Sequence, residues 1–513
     1  MSAQKTASFY PSLALLAILL LGLALRLAPW GQNRFLEDEA LYATWGLQIA
    51  TGADPMLDEE PVDKPPLHPY TLALSFLAFG QSERAARLPS LFASMVSIAL
   101  VYTLGTALPL TPTDRDRSAP SPPGGEGRPR SGRGEGAALL AALLLALSPF
   151  DILFASTAFT DPLMTAFVLA ALLAAGKGRL GAAGLLTGLA GATKQQGLFF
   201  LPLVVAVAAL RTTDRRNWRA WLRFALGFGL VAAGVICWDS ARVQRPGFWE
   251  QGLISYGGLG PTAPAALGER AIEWLRLVGY FWTSPWFNGL LLAALLTWLV
   301  GSRLTPALPA PRRIDFVLLV FVGGFLLLHW LVGFQVWDRY LLGLVPLAAL
   351  LAARALVAVG RAIRAAPWQQ VYAAGLAAAL ALTLTGPVVR ATQSELPLGG
   401  DHGAYDGIDQ LAAYLRATAP ANSVLYHHWL GYHYRFYLYG APLRLHWYPN
   451  PEDLVHDATV YRREPRYIAF PTFRNSSAAR ATLAGAGITL TPLLETTRRD
   501  GTVSFQLYRL EGP

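Results

Sequence analysis

Long apolar runs separated by short polar loops dominate this sequence. Hydrophobic residues fill 53% of the 513 positions and charged residues only 15%, and the mean hydropathy is +0.36. Soluble domains carry about a quarter charged residues, and a helix needs about 20 apolar residues to cross a bilayer. The chain is therefore predicted to be an α-helical polytopic membrane protein.

About eleven segments are predicted to cross the membrane, and several are short enough to indicate tilting or partial burial. A cleavable signal peptide is the alternative for the first segment, but no small-residue cleavage site follows it and many further spans do. The predicted spans are residues 9–29, 88–109, 136–150, 160–176, 180–193, 197–211, 221–239, 285–301, 314–334, 340–359 and 369–389.

The basic residues set the predicted orientation. From the loop after the second span onward, Arg and Lys cluster in every second loop, as cytoplasmic loops do. This places the amino terminus inside and the carboxyl-terminal region outside, and it explains the net charge of +9 without a nucleic-acid partner. The residues are Arg115, Arg117, Arg128, Arg130, Arg133, Lys177, Arg179, Arg211, Arg215, Arg216, Arg219, Arg303, Arg312, Arg313, Arg361 and Arg364.

One apolar segment is predicted not to cross. Leu67–Phe79 is about 13 residues long, short of the ~20 needed, and it follows Pro65-Pro66. It is predicted to lie as a helix in the outer membrane interface. If it crossed, every later loop would move to the opposite side of the membrane, and the arginine pattern would fail. The Pro-, Gly- and Arg-rich loop 111–136 is predicted to be a disordered cytoplasmic linker.

The chain divides into a predicted membrane domain, residues 1–395, and an extracytoplasmic α/β domain, residues 396–513. The second domain is predicted from an amphipathic helix at Tyr405–Thr418 and short β-rich runs. These runs are Ser423–His427, Leu443–Trp447, Tyr467–Phe470 and Val503–Leu510. The single Cys237 excludes an internal disulfide.

With this topology, eight ionisable residues fall at the outer ends of spans or in outer loops. Asp161 and Lys194 are the most informative, because charges at the rim of an apolar span are costly unless they pair or line a wet cavity. The alternative for each is an interfacial charge that reaches water. The eight are Asp38, Glu39, Asp63, Lys64, Asp161, Lys194, Asp338 and Arg339.

Several motifs together resemble the polyprenyl-phosphate-dependent membrane glycosyltransferases of the GT-C superfamily. Among these enzymes, the aminoarabinose transferases and the protein O-mannosyltransferases have similar motifs. The resemblance covers roughly residues 10–390. The motifs are Asp38-Glu39-Ala40-Leu41-Tyr42, Val62-Asp63-Lys64-Pro65-Pro66-Leu67, Arg84-Ala85-Ala86-Arg87-Leu88-Pro89-Ser90, Thr160-Asp161-Pro162-Leu163, Ala192-Thr193-Lys194-Gln195-Gln196-Gly197 and Asp338-Arg339-Tyr340-Leu341-Leu342.

The resemblance implies that Asp38 is the general base, with Asp161 orienting that base or the lipid phosphate. Lys64, Lys194 and Arg339 would bind the donor phosphate, and Tyr42 would add a hydroxyl contact. A lysine before Pro65-Pro66 also suits an anchor to lipid headgroups, and Glu39 also suits the dipole of its helix start. Asp338, which precedes Arg339 in the same motif, is a further predicted site residue.

The resemblance implies a divalent metal at Asp63, Mg²⁺, Mn²⁺ or Zn²⁺, and oxygen ligands suit such ions. One carboxylate alone is not a metal site. His427, His428 and His433 have a spacing that suits zinc, although such residues are more often core or surface. Two departures from the family pattern put the donor sugar in doubt: Leu41 and Phe154-Ala155-Ser156 stand where relatives often carry arginine.

The predicted function is transfer of a monosaccharide, with inversion, from a polyprenyl-phosphate donor to an acceptor of the cell envelope. The site would face outward from a bacterial cytoplasmic membrane, with membrane lipids around it. Two alternatives stay open: a transporter or flippase of the lipid carrier, and a non-catalytic envelope scaffold. Transporters usually place charges near the bilayer midplane, whereas here they lie at the outer ends.

Overall fold

The computed structural model describes residues 2–107, 132–211, 217–243, 246–256 and 260–512, with side chains from residue 11 in the first range and from 134 in the second. Of the predicted linker 111–136, residues 111–131 lie outside the described residues. Residues 132–136 open a helix.

Helices α1–α16 precede the carboxyl-terminal sheet, and short 3₁₀ helices at Gln195–Phe200, Pro264–Ala266 and Asp338–Leu344 lead into α9, α12 and α15. The α-helices are α1 Ser2–Leu27, α2 Glu37–Thr51, α3 Leu67–Phe79, α4 Glu83–Ala107, α5 Gly132–Ala146, α6 Pro149–Ala155, α7 Asp161–Gly176, α8 Leu180–Thr193, α9 Leu201–Arg211, α10 Trp218–Ala241, α11 Phe248–Ser255, α12 Leu267–Gly279, α13 Pro285–Leu304, α14 Arg313–Leu331, α15 Val345–Ala362 and α16 Ala366–Thr392.

The predicted polytopic helical class is confirmed. In the described part of the chain, six helices are long and apolar enough to cross a membrane: α4, α10, α13, α14, α15 with its 3₁₀ lead, and α16. The predicted span 136–150 is a broken one, since α5 and α6 meet at a 60° bend where Ser148 caps α6. The other four predicted spans coincide with the shorter apolar helices α1, α7, α8 and α9.

Helix α3 has the bounds that the sequence predicts, Leu67–Phe79, and its 13 residues are too few to cross. Its Pro65-Pro66 lead and the left-handed Gly80 that follows it account for both ends. Its position in the outer interface stays a prediction.

The fold forms two compact units, the first of which comprises residues 1–30, 54–71 and 87–399. Glycines allow close helix packing in this unit. A Cβ atom at Gly184 of α8 would lie 2.0 Å from the carbonyl oxygen of Phe224 in α10, and one at Gly227 would lie 2.4 Å from the carbonyl oxygen of Gly181. Small residues are the usual means by which helix backbones approach each other in membranes.

Two buried ion pairs join helices of the first unit. Arg26 of α1 pairs with Asp151 of α6, and the Ser94 hydroxyl of α4 donates to the same carboxylate at 2.6 Å. Arg354 of α15 lies 2.6 Å from Asp315 of α14. Because a buried charge without its partner is very costly, these pairs specify which helices meet.

The second unit comprises residues 31–53, 72–86 and 400–513. Its five-stranded sheet has the order β2-β1-β3-β5-β4, with β1 parallel to β2 and β3, and β5 antiparallel to β3 and β4. The elements are α17 Ile408–Thr418, β1 Ser423–His427, α18 Gly431–Tyr437, β2 Leu443–Trp447, α19 Pro451–Val460, β3 Arg466–Pro471, α20 Ser477–Gly485, β4 Thr489–Thr497 and β5 Val503–Glu511.

The predicted carboxyl-terminal α/β fold is confirmed, and four of its strands coincide with the predicted β-rich runs. Strand β4 is the one that the sequence reading missed. It lies at the edge of the sheet, contains Pro492 and has register shifts against β5. Proline is tolerated in edge strands because it has no N–H to donate to a second neighbour.

Helix α2 packs within this second unit against α18. The His433 imidazole is 2.7 Å from the Phe35 carbonyl oxygen, and the Tyr405 hydroxyl donates to Glu37. The Thr44 hydroxyl donates to the Tyr432 carbonyl oxygen at 3.3 Å. The polar segment 31–53 therefore shares one packed unit with residues 400–513, which are distant in the sequence. No sequence pattern predicts this packing.

Buried histidines should make the second unit sensitive to acid. Burial lowers the pKa of His427 and of His433 to about 4, against an ordinary value near 6.5. Both are neutral when folded and bind a proton more readily when unfolded, so stability is lost as the pH falls from about 6.5 towards 4. Each should cost about 2–3 kcal/mol at pH 4.5.

His433→Gln, whose amide can still donate to Phe35, should reduce this loss in thermal stability measured between pH 7 and pH 4.5. His456→Gln, an exposed change on α19, is the matched control. An acid sensitivity identical in all three proteins would contradict the assignment to His433.

Candidate functional site

Asp161 and Lys194 form a buried ion pair in the first unit. Helices α7 and α8 pack as a hairpin around Lys177–Arg179, so the start of α7 and the end of α8 lie at the same level. The Lys194 Nζ atom is 2.6 Å from Asp161 Oδ1, and the two side chains are 2% and 0% exposed. Asp161 lies at the amino terminus of α7 and Lys194 at the carboxyl terminus of α8. The helix dipoles therefore favour both charges.

The Lys194 ammonium keeps donors for a ligand. Asp161 is its hydrogen-bond partner among the described residues, and an ammonium has three donors. The ammonium also lies 4.7 Å from the centre of the Tyr340 ring, a cation–π distance. It is therefore fixed in place by a carboxylate and an aromatic face while two N–H groups remain.

Lys64, in the loop before α3, lies close enough to Lys194 to interact with it electrostatically. Its Nζ atom is 2.5 Å from Asp63 Oδ2 and 4.9 Å from the centre of the Tyr256 ring. The Gln195 side chain donates to the Asp63 carbonyl oxygen at 2.6 Å, which ties this loop to the residue after Lys194. The Tyr256 and Tyr340 rings are 6.4 Å apart, so the two lysines stand over neighbouring aromatic rings.

Arg339 is the third cation. Its guanidinium lies 4.9 Å from the Phe159 ring centre and 5.0 Å from that of Trp337, and its backbone N–H donates to Asp338 at 2.7 Å. Both Arg339 and Lys64 lie close enough to Lys194 to act on it electrostatically. The structure thus brings together Asp63, Lys64, Asp161, Lys194 and Arg339, five of the residues that the sequence singles out.

A cavity of about 270 Å³ opens beside Lys194. Its walls are mainly apolar, and Lys194 is among the residues that line it. The lining residues are Lys194, Gln195, Gln196, Leu198, Phe199, Trp249, Gly252, Leu253, Tyr256, His329, Phe334 and Tyr340. Such a space suits an amphiphile with a hydrocarbon chain and an anionic group.

The other predicted site residues, Asp38, Glu39 and Tyr42, lie on α2 in the second unit. Asp38 is partly exposed in the first helical turn. Glu39 is fully buried and its carboxylate accepts from the Leu36 N–H at 2.9 Å, which is the helix-start alternative. Tyr42 is buried against Trp45, with ring centres 5.7 Å apart. A site shared between Asp38 and the lysines stays a prediction.

The cavity is also lined by residues for which the sequence predicts no role. Gln195, Gln196 and Tyr340 belong to the family-like motifs, but the resemblance implies no role for them. Trp249 lies in α11, and Tyr256 directly follows that helix. Their function depends on which helix ends meet, and spacing along the chain does not reveal that.

The residues around Asp63 do not form a metal-ligand set. In the described ranges, no group of three or more His, Cys, Asp or Glu side chains is placed to hold a metal ion. Asp63 is paired with Lys64, and a cation competes with a metal for the same oxygens. His428 and His433 contact the Tyr448 and Phe35 carbonyl oxygens, respectively. A divalent metal at Asp63 stays a prediction.

Comparison with solved structures finds a similar fold in ArnT, over almost the whole of both chains. ArnT from Cupriavidus metallidurans in the apo state has a TM-score of 0.66 at 16% identity, covering 99% of this chain and 100% of that chain. The same protein bound to undecaprenyl phosphate has a TM-score of 0.59 with equal identity and coverage. The predicted ArnT-like fold is confirmed.

At the level of sequence, residues 63–108 match the family model described as dolichyl-phosphate-mannose-protein mannosyltransferase. This segment begins at Asp63-Lys64 and includes the Arg84–Ser90 motif. No curated protein matches the chain.

Proposed function

We propose that this protein is a GT-C membrane glycosyltransferase that moves a monosaccharide from a polyprenyl-phosphate donor to an acceptor of the bacterial cell envelope. The observation that carries the proposal is the buried Lys194–Asp161 pair at the edge of an apolar cavity. A fixed ammonium beside an apolar wall matches both parts of a lipid phosphate.

The comparisons support this choice of ligand. The fold is that of ArnT, which has been solved with undecaprenyl phosphate, and the matched family is described as using dolichyl phosphate mannose. The apolar walls of the cavity, including Phe199, Leu253 and Phe334, would contact isoprene units. Burial of such a chain is worth about 25 cal/mol per Å² of apolar surface.

The three cations would stabilise the departing phosphate. As the bond from the anomeric carbon to the phosphate oxygen breaks, negative charge grows on the polyprenyl phosphate, and Lys64, Lys194 and Arg339 would bind it. Charges held in place before the reaction stabilise such a transition state without reorganisation. Asp161 would act as a positioning residue by holding the Lys194 ammonium, and Asp338 by accepting the Arg339 backbone N–H.

Asp38 would be the general base. Its carboxylate would take the proton of the acceptor hydroxyl as that oxygen forms its bond to the anomeric carbon, and the phosphate leaves from the opposite side. A single displacement of this kind inverts the anomeric configuration. A neighbouring carboxylate also eases the positive charge that develops on the sugar. Tyr42 and Glu39 would hold α2 in place, since both are buried in it.

The orientation proposed is the one predicted from the arginine loops, with the site on the extracytoplasmic side of the cytoplasmic membrane. The amino terminus would be cytoplasmic and residues 396–513 would be outside, where envelope acceptors are found. Membrane lipids would surround the helices that the structure shows to be apolar along their exposed faces.

The test is transfer in neutral detergent with the purified protein. A panel of radiolabelled undecaprenyl-phosphate hexoses and pentoses is incubated with delipidated envelope glycans and with extracted envelope lipids. Label is expected to move from one donor to a product, with release of undecaprenyl phosphate. Label that stays on every donor, while reconstituted vesicles show donor translocation, would indicate the flippase alternative instead.

A further inference from the structure

A second cavity, of about 310 Å³, lies in the second unit at the carboxyl ends of its parallel strands. His428 and Trp429 follow β1, Tyr448–Pro451 follow β2, and Pro471 ends β3 with Arg474 just beyond. Open sheets bind their ligands in the crevice at this edge of parallel strands. Neither the cavity beside Lys194 nor the proposed transfer reaction uses these residues.

Arg474 is the charged group of this cavity. It is exposed, and its guanidinium lies 4.3 Å from the Trp429 ring centre and 6.0 Å from that of Phe473. In the part of the chain that the structure describes, the guanidinium makes no hydrogen bond or ion pair. Stacking on an aromatic face leaves the edge donors of a guanidinium available, and their fork matches a carboxylate or phosphate.

The remaining lining provides aromatic surface and further polar groups, of which His428 is one. Trp429 is 44% exposed, and Tyr448 and Phe470 also line the cavity. The His428 Nδ1–H donates to the Tyr448 carbonyl oxygen at 2.8 Å, which leaves Nε2 as an acceptor for a hydroxyl group. Aromatic walls with a few polar groups are typical of sites for small polar ligands.

The neighbouring asparagines already have partners. Asn450 accepts from the Asp453 N–H and Asn475 from the Ser477 N–H, each at 2.9 Å, at the starts of α19 and α20. They shape the rim of the cavity. With these two oxygens occupied, Arg474, the His428 acceptor and the aromatic faces are the groups available for a ligand.

We propose that this cavity binds a saccharide carrying an anionic group, a phosphate or a carboxylate. The anion contacts Arg474, a ring hydroxyl contacts His428, and the sugar ring lies against the aromatic wall. Binding at this place does not depend on the transfer reaction, so it is tested without turnover.

The test is calorimetric titration of the full-length protein in neutral-lipid nanodiscs with glucose 1-phosphate, glucuronate, glucose and inorganic phosphate. The two anionic sugars are expected to bind, and Arg474→Gln should weaken both by roughly tenfold or more. Trp429→Ala should weaken them as well. Arg463→Gln removes the same charge from an exposed position before β3, at the opposite end of the strands, and should leave binding unchanged.

Three results would overturn the proposal. One is equal affinity of the parent and Arg474→Gln for the anionic sugars, with unchanged melting temperatures. A second is inorganic phosphate binding as tightly as glucose 1-phosphate, which would mean that no sugar is recognised. The third is Arg474-dependent adsorption to phosphatidylglycerol vesicles with no binding of the soluble sugars, which would make the surface a lipid-headgroup contact.

Discussion

Lys194→Met is expected to abolish polyprenyl-phosphate binding and to lower stability by about 3–5 kcal/mol, because it leaves the buried Asp161 carboxylate without its partner. Undecaprenyl phosphate binding is measured by native mass spectrometry, and stability by thermal unfolding in the same detergent. Loss of the ammonium removes both the counter-charge of Asp161 and one of three cations proposed to hold the phosphate.

The double variant Lys194→Met with Asp161→Asn separates these two effects. Removing both charges should restore most of the stability, since no unpaired buried ion remains. It should not restore binding of the lipid phosphate. A double variant that binds undecaprenyl phosphate like the parent would show that the pair serves the fold alone.

Asp38→Asn is expected to reduce the rate of transfer by about 10²–10⁴ at saturating donor, the usual contribution of a general base. Donor affinity should be unchanged, because the amide keeps the size of the side chain and the proposed phosphate contacts are elsewhere. The effect on stability should be small, since one charge in the first turn of α2 is worth about 0.3–1 kcal/mol.

Glu59→Gln is the matched control for Asp38→Asn. It removes a carboxylate from an exposed position in the same loop between the first and second predicted spans. The control should transfer sugar like the parent. Equal turnover in Asp38→Asn and Glu59→Gln would remove Asp38 from the role of base.

The membrane part of the fold follows closely from the sequence because each helix needs a long apolar run. The eleven predicted spans all coincide with helices, and Leu67–Phe79 has its predicted bounds. One predicted span corresponds to two helices and not to a single one. Residues 136–150 read as one continuous run, but Ser148-Pro149 starts a new helix there and produces the bend.

The candidate site was predictable only in part, and the reason is physical. Asp161 and Lys194 could be singled out from the sequence because each is a costly charge at the rim of an apolar helix. Tyr256 and Tyr340 carry no such cost, so nothing marks them until their rings are seen beside the two lysines. The packing of α2 against α18 depends on side chains distant in sequence and is equally hidden.

The most direct test of the account is a cryo-electron microscopy structure of the protein with an undecaprenyl-phosphate sugar. Phosphate oxygens are expected about 2.7–2.9 Å from the Lys194 and Lys64 ammonium nitrogens. The first isoprene units are expected against Phe199 and Leu253. A phosphate bound elsewhere, with the cavity beside Lys194 empty of lipid, would contradict it.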